Sequence, residues 1–264
     1  MDLVDIGANL THESFTTDLA EVIARARAVG VTRMIVTGAD LSGSAGARAL
    51  ARGHPGVLYA TAGVHPHCAD QWQADSAAII RRLAEHPEVV AIGETGLDFN
   101  RDFSPRADQE RAFEAQLQLA SELGLPVFMH ERDAHQRFAA ILSAYRHRLS
   151  DAVAHCFTGD AAALDAYLAL DLHIGITGWI CDERRGLHLR ELVARIPTDR
   201  LLIETDAPYL LPRDLKPRPR GRRNEPMHLP HILATVAACR GISTCELARA
   251  TTANAERFFH LNRR

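Results

Sequence analysis

Short apolar runs alternate with longer amphipathic stretches along most of the chain. The runs Leu3–Ile6, Arg33–Thr37, Leu58–Ala62, Val89–Ile92, Val127–His130, Ala152–His155, Leu172–Ile176 and Leu201–Thr205 have the near-continuous hydrophobicity of parallel strands buried on both faces. Between them, Asp18–Val29, Asp75–His86, Arg106–Leu123 and Leu187–Arg195 repeat apolar residues every three or four positions, which predicts helices. Gly30 and Gly124 each follow such a stretch and precede a strand, as helix C-caps do. Eight strand-then-helix units predict an α/β fold, a (β/α)₈ TIM barrel, with an open doubly wound sheet as the alternative. The 264 residues suit one such barrel, and no long Pro/Gly/Ser-rich linker interrupts the alternation up to residue 211, so a single domain spanning 1–264 is expected.

In barrels of this kind, catalytic side chains project from the C-terminal ends of several strands. The strand exits here read DIGAN, TAGVHPH, AIGETGLD, PVFMHERD, AVAHCFTG, GITGW and LLIETDAPY, and five of them deliver His65, Glu94, His130, His155 and Asp206. A single histidine after an apolar run is more often a packed or capping group than a ligand. Several such groups from strands distant in sequence meet around one barrel mouth, however. Neutral imidazoles beside carboxylates suit a divalent ion, Mg²⁺, Mn²⁺ or Zn²⁺, which lowers the pKa of bound water toward neutrality.

The segments GVHPH, AIGETGLDFNRDFS, QERAFEAQL, PVFMHERDAH, HCFTG, IGITGWICDERRG, LLIETDAPYLLPRDL and RRNEPMHLPHIL together resemble the TatD family of metal-dependent deoxyribonucleases, within the amidohydrolase-like barrel superfamily. The likeness runs from Asp5 to about Phe259, and GLDFNR, CDERRG and DIGANL bring the chain nearest to the branch that gives the family its name. It implies Mg²⁺-dependent 3′→5′ exonuclease activity on single-stranded DNA and RNA, with a part in repair of oxidative DNA damage. It also implies that Glu94, His130, His155 and Asp206 form the metal site, and that Asp206 bridges the metal region and the nucleophilic water as the proton acceptor. One departure stands out. The wider family opens on D-x-H-x-H, whose two histidines bind one metal of a pair, whereas this chain reads Asp5-Ile6-Gly7-Ala8-Asn9. Asn9 is then the only side chain left there to serve a weak second-metal region.

Arg132 lies two residues beyond His130, on the same face of an extended segment, where its guanidinium is expected to grip the phosphate and stabilise the charge that builds in hydrolysis, with a structural salt bridge as the plainer alternative. His65 is expected to contact phosphate or base; His67 and Cys68 are read as ordinary loop residues. Trp179 offers a stacking platform for a base or a cover for the barrel top. The run from Arg213 to Arg223 holds Arg213, Lys216, Arg218, Arg220, Arg222 and Arg223 against Asp214, just after the strand leading to Asp206. Arg218, Arg220, Arg222 and Arg223 are the expected phosphate contacts, with a solvated linker as the plainer alternative. Glu225 is read as a residue that holds this loop in place.

The formal net charge of −3 argues against bulk electrostatic coating of nucleic acid. Five cysteines without a CxxC pair fit a reducing, cytoplasmic setting, and neither a secretory leader nor a membrane span is expected. The resemblance implies single-stranded DNA or RNA as the partner, and a monomer is expected. Two other functions compete: hydrolysis of a small amide, lactone or phosphoester on the same scaffold, and a catalytically weak nucleic-acid- or metal-binding scaffold.

Overall fold

The computed structural model describes residues 2–217 and 219–261. Its strands are β1 (Leu3–Ala8), β2 (Val31–Val36), β3 (Leu58–Ala62), β4 (Val89–Asp98), β5 (Val127–Arg132), β6 (Ala152–Ala154), β7 (His173–Ile176) and β8 (Leu201–Ile203). All neighbours pair in parallel and in sequential order. β1 and β8 meet through a bridge between Ala8 and Ala207, where Asn9 N donates to Ala207 O at 2.7 Å and Asp206 N to Gly7 O at 2.8 Å. The sheet therefore curls into a barrel and does not stay open.

The helices are α1 (Leu19–Ala28), α2 (Leu41–Arg52), α3 (Ser76–Ala84), α4 (Arg106–Leu123), α5 (His135–Tyr145), α6 (Ala161–Ala169), α7 (Leu187–Leu192), α8 (Leu229–Arg240) and α9 (Thr244–Phe258). The four expected helices all form, the last of them tightening into a 3₁₀ turn at Val193–Arg195. Gly30 and Gly124 take φ of 92° and 65°, as their position after helices requires. Asp40, Asp160 and Ser243 cap α2, α6 and α9 by accepting from Gly43, Ala163 and Glu246 N–H groups.

The largest difference from the sequence pattern lies in β4, which continues six residues past Ile92 to Asp98. Polar Glu94 and Thr95 end the apolar run, but the backbone stays paired to β5, with Gly96 opposite His130 and Asp98 opposite Arg132. Gly96 permits this: its φ is 137°, and a Cβ there would run into the His130 carbonyl oxygen. β6 and β8 instead leave the ladder early, just before His155 and Glu204, and Cys156 and Asp206 take left-handed φ of 47° and 53°. Such backbone is uncommon outside glycine and often marks functional positions.

Inside the barrel, Val4, Ile6, Ile35, Val90, Phe128, Val153 and Leu202 form a cluster with Phe258, Phe259 and Leu261. The end of α9 thus plugs the N-terminal end of the barrel with apolar rings. Chemistry is left to the opposite rim, where the strand ends place their polar groups.

Candidate metal centre at the barrel mouth

Glu94 Oε1 is where the strand ends converge. His155 Nε2 lies 2.7 Å from it, His65 Nε2 3.2 Å and His130 Nδ1 3.3 Å. One ligand atom each from His65, Glu94 and His130 fall within 4.8 Å of one another. The expected trio of Glu94, His130 and His155 is brought together, and His65 joins it. His65 is buried and does not line the mouth cavity where a phosphate or base contact was expected: after β3 the chain turns inward, and His67 N donates to His65 Nδ1 at 3.0 Å, aiming Nε2 at Glu94.

The second ring nitrogens separate the three histidines. Asp98 Oδ2 lies 3.3 Å from His130 Nε2, and Glu204 Oε2 lies 3.2 Å from His155 Nδ1. A carboxylate accepts only, so each ring donates at both nitrogens, to Asp98 or Glu204 at the far side and to Glu94 at the near side; an ion that displaced the near proton would meet a lone pair there, with the far nitrogen still held. In His65 the second nitrogen accepts a backbone N–H. The proton of the neutral ring is thereby fixed on Nε2, which donates to Glu94. Burial pushes His65 down to about 4, keeping it neutral. Burial opposes charge at His130 and His155 too, but Asp98 and Glu94 raise the first, and Glu94 and Glu204 hold the second well above its usual range. Glu94, despite its burial, stays well below the ordinary carboxylate range beside His65 and His155. Proximity alone groups His65 with Glu94 and His130; the far-nitrogen partners favour His155 over His65 as the second imidazole able to turn its Glu94-facing nitrogen to an ion.

Two participants carry no mark in the sequence reading, Asp98 and Glu204, and a third, His67, is more than the ordinary loop residue expected there. Asp98 is buried, with His67 Nε2 2.6 Å from Oδ2 and the N–H groups of Asn100 and Arg101 donating to Oδ1 at 3.0 and 2.9 Å. Glu204 is fully buried, and Cys156 N donates to its Oε1 at 2.5 Å. A Cβ on Gly7 would collide with Glu204 Oε2, and one on Gly175 would come 2.5 Å from Oε1. The glycine that replaces the first histidine of D-x-H-x-H therefore makes room for Glu204. The signal for Asp98 was spacing, since Glu94 and Asp98 are four apart on one strand and so share a face; Glu204 lies past the end of β8, where no strand period applies.

Asp206 accepts from Asn9 Nδ2 at 3.0 Å through Oδ1. Burial, with the nearby Glu94 and Glu204 charges, pushes its carboxyl up to about 7 against the pull of His155 and Asn9. Asn9 gives its NH₂ to Asp206, because an ionised carboxylate can only accept. A cavity of about 640 Å³ opens over this cluster; Asp98, His130 and Asp206 line it together with Arg132, Trp179, Arg185 and Arg222. The Trp179 ring has the guanidinium groups of Arg185 at 4.3 Å and Arg132 at 5.2 Å from its centroid, and Arg132 Nη1 donates to Thr158 Oγ1 at 2.8 Å. A groove of about 430 Å³ adjoins the cavity and shares Trp179, Arg185, Leu210 and Arg222 with it.

The family model described as TatD related DNase matches residues 4–260. The chain belongs to the TatD family. Among TatD relatives, the 3′-5′ ssDNA/RNA exonuclease TatD of Pantoea vagans is 57% identical over 259 residues, covering 98% of this chain and 100% of the relative. That of Citrobacter rodentium is 57% identical over 257 residues, covering 97% of each. Among solved structures, the TatD homologue YjjV of Escherichia coli K12 superposes with a TM-score of 0.89 at 28% identity, covering 98% of both chains.

In this TatD-family chain the basic loop after β8 divides its labour. Arg223 is an anchor and not a free phosphate contact: it pairs with Asp18 at 2.7 Å and Glu225 at 2.7 Å, and donates to Ser14 O at 2.6 Å. Two carboxylates within reach outcompete solvent for its guanidinium. Glu225 also holds Arg25 at 2.8 Å, and buried Asn224 donates to Thr205 O at 2.9 Å, so this end of the loop is fastened as expected for Glu225. Arg213 pairs with Glu183 at 3.3 Å. Arg222 is exposed at the mouth, Arg220 is exposed away from the lining residues of the two cavities, and Arg218 lies outside the described residues. Among the described residues no helix is long and apolar enough to cross a membrane.

Proposed function

We propose that the chain is a metal-dependent 3′→5′ exonuclease of single-stranded DNA and RNA, with Glu94, His130 and His155 as ligands to a divalent ion, expected to be Mg²⁺. The observation that carries this reading is the sharing of Glu94 Oε1 by His130 and His155, each with its far ring nitrogen held by a carboxylate, Asp98 or Glu204. That donor set fits a divalent ion. When bound, the ion supplies positive charge for the scissile phosphate and acidifies the attacking water.

The protein's own groups do the rest. Asp206, with Oδ1 engaged by Asn9, offers Oδ2 to take the proton of the attacking water. Arg132, oriented by Thr158 and Trp179, contributes charge where negative charge builds on the phosphate. Trp179 offers its face to a base, and Arg185 and Arg222 draw the strand along the adjoining groove. His65 donates to Glu94 and holds that carboxylate in place. The arginine-lined mouth favours a polyanion over a small amide or lactone.

Metal-stripped protein should digest a 5′-labelled single-stranded oligonucleotide only after a divalent ion is restored, giving a ladder that shortens from the 3′ end. Mg²⁺, Mn²⁺ and Zn²⁺ added back in parallel rank the ions. Undiminished cleavage in chelator, or internal cuts without a ladder, would overturn the proposal.

A further inference from the structure

Away from the mouth cluster, one other set of ligand-type side chains converges among the described residues. Cys181, Asp214 and His231 each present an atom, and the three atoms lie within 4.8 Å of one another. They come from separate segments: the 3₁₀ turn Gly178–Cys181 after β7, the basic loop after β8, and α8. We propose that Cys181, Asp214 and His231 form a second metal site, for a zinc-class ion, that clamps the basic loop to the outer side of the barrel mouth.

The local contacts suit that role. His231 Nε2 lies 2.6 Å from Asp214 Oδ1, while Arg190 Nη2 approaches Asp214 Oδ2 at 4.0 Å and is steadied by its own Nε donating to Ile180 O at 3.1 Å. The arginine thus engages the far carboxylate oxygen and leaves Oδ1 to the site. Cys181 is fully buried, and its thiol donates to Thr235 Oγ1 at 3.4 Å. That hydroxyl donates onward to His231 O at 3.0 Å, which keeps Cys181 and the α8 turn in register. When an ion binds, the thiol proton leaves to solvent as the sulfur–metal bond forms, and thiolate and carboxylate together balance the two positive charges. Thiolate with imidazole and carboxylate is a zinc-type set, whereas Mg²⁺ prefers oxygen ligands. The two sites are therefore separable by metal.

A clamp here would have structural value. Without an ion the loop is held at this point by the part-exposed His231–Asp214 pair, and such pairs contribute little in water. Asp214 also adjoins Arg213, whose contacts with Glu183 and Asp182 lead back toward Trp179. Fixing Asp214 fastens the near end of the segment whose far end Asn224 and Arg223 already secure.

The test is titration of the metal-stripped full chain with Co²⁺ under excess Mg²⁺, followed by the near-ultraviolet charge-transfer band that only a cobalt–thiolate bond produces, with Zn²⁺ as competitor. Wild-type protein should develop the band and lose it to Zn²⁺. Cys181→Ser should abolish it. Asp214→Asn and His231→Gln, the first a change at an exposed position, should each weaken Co²⁺ binding about ten-fold or more. Cys156→Ser should keep the band, since Cys156 lines the mouth cavity instead. A wild type without the band, a band that survives Cys181→Ser, or one that disappears in Cys156→Ser would overturn the proposal and leave His231–Asp214 as a simple ion pair beside a buried thiol.

Discussion

Asn9 Nδ2 and Asp206 Oδ1 are joined at 3.0 Å across the seam where β1 and β8 close the barrel. The amide therefore steers the carboxylate proposed above as the proton acceptor. Burial raises Asp206 to about 7, and the Asn9 bond opposes that rise. Asn9→Ala should raise it further, so the acid limb of the pH profile of kcat/KM moves to higher pH. Asp206→Asn should bind metal normally and lose about 10²–10⁴-fold in rate. An unmoved acid limb in Asn9→Ala would detach Asn9 from this role.

Proton positions among the three histidines lead to a second expectation. His130→Ala and Glu94→Ala should lose both bound metal and nearly all nuclease activity while melting cooperatively, because the packed interior is untouched. His65→Gln should keep its metal, since His65 donates to Glu94 and has no lone pair to offer there. Metal analysis after dialysis distinguishes these variants; loss of metal in His65→Gln would place that residue among the ligands.

Glu204 is buried behind His155, with Oε2 3.2 Å from its Nδ1. Glu204→Gln preserves volume but can place a donor where His155 Nδ1–H needs an acceptor. Metal affinity should fall about 10–100-fold, as for other outer carboxylates that orient a ligand histidine. Calorimetric titration with Mn²⁺ reads this directly, and unchanged affinity would reduce Glu204 to a packing role.

Arg222 and Arg223, adjacent in sequence, should behave differently. Arg222→Ala should weaken binding to single-stranded DNA and reduce the slope of log K against log salt by roughly 0.7, the loss of one phosphate contact. Arg223→Ala should leave that slope unchanged and lower the melting temperature, because Asp18 and Glu225 lose one of their two shared partners and keep only Arg25. The reverse pattern would exchange their roles.

The same anchor predicts a pH dependence. Hydrogen bonds from Arg223, and then Arg25, hold Asp18 down to about 2 from its ordinary 3.8. A depressed carboxyl contributes stability above its unfolded value, and that contribution is lost as pH falls through the folded one. The difference in melting temperature between wild type and Asp18→Asn should therefore be full above about pH 5 and close toward pH 2. A gap that persists at pH 2 would mean that the charge of Asp18 is not what fastens the loop.

The hydrophobic pattern determined the barrel. Its strand-and-helix period depends on local burial, and a run such as Val127–Met129 has few ways to be buried except as a central parallel strand. The polar strand exits likewise determined which residues reach the mouth, so Glu94, His130, His155 and Asp206 were legible as a group, and Glu225 as a loop anchor.

Only the tertiary structure decided how those groups share protons and which charges remain free. β4 reaches Asp98 because Gly96 fits against the His130 carbonyl, an interstrand contact that no local period encodes. Glu204 became the partner of His155 because Gly7 and Gly175, from other strands, leave space for its carboxylate. His65 became a donor to Glu94 through one backbone N–H, and Arg223 was withdrawn from substrate binding by Asp18, 205 positions away in sequence. Sequence sets which side chains arrive at a surface through short-range periodicity; their hydrogen bonds and ion pairs depend on distances between segments, which exist only once the barrel has closed.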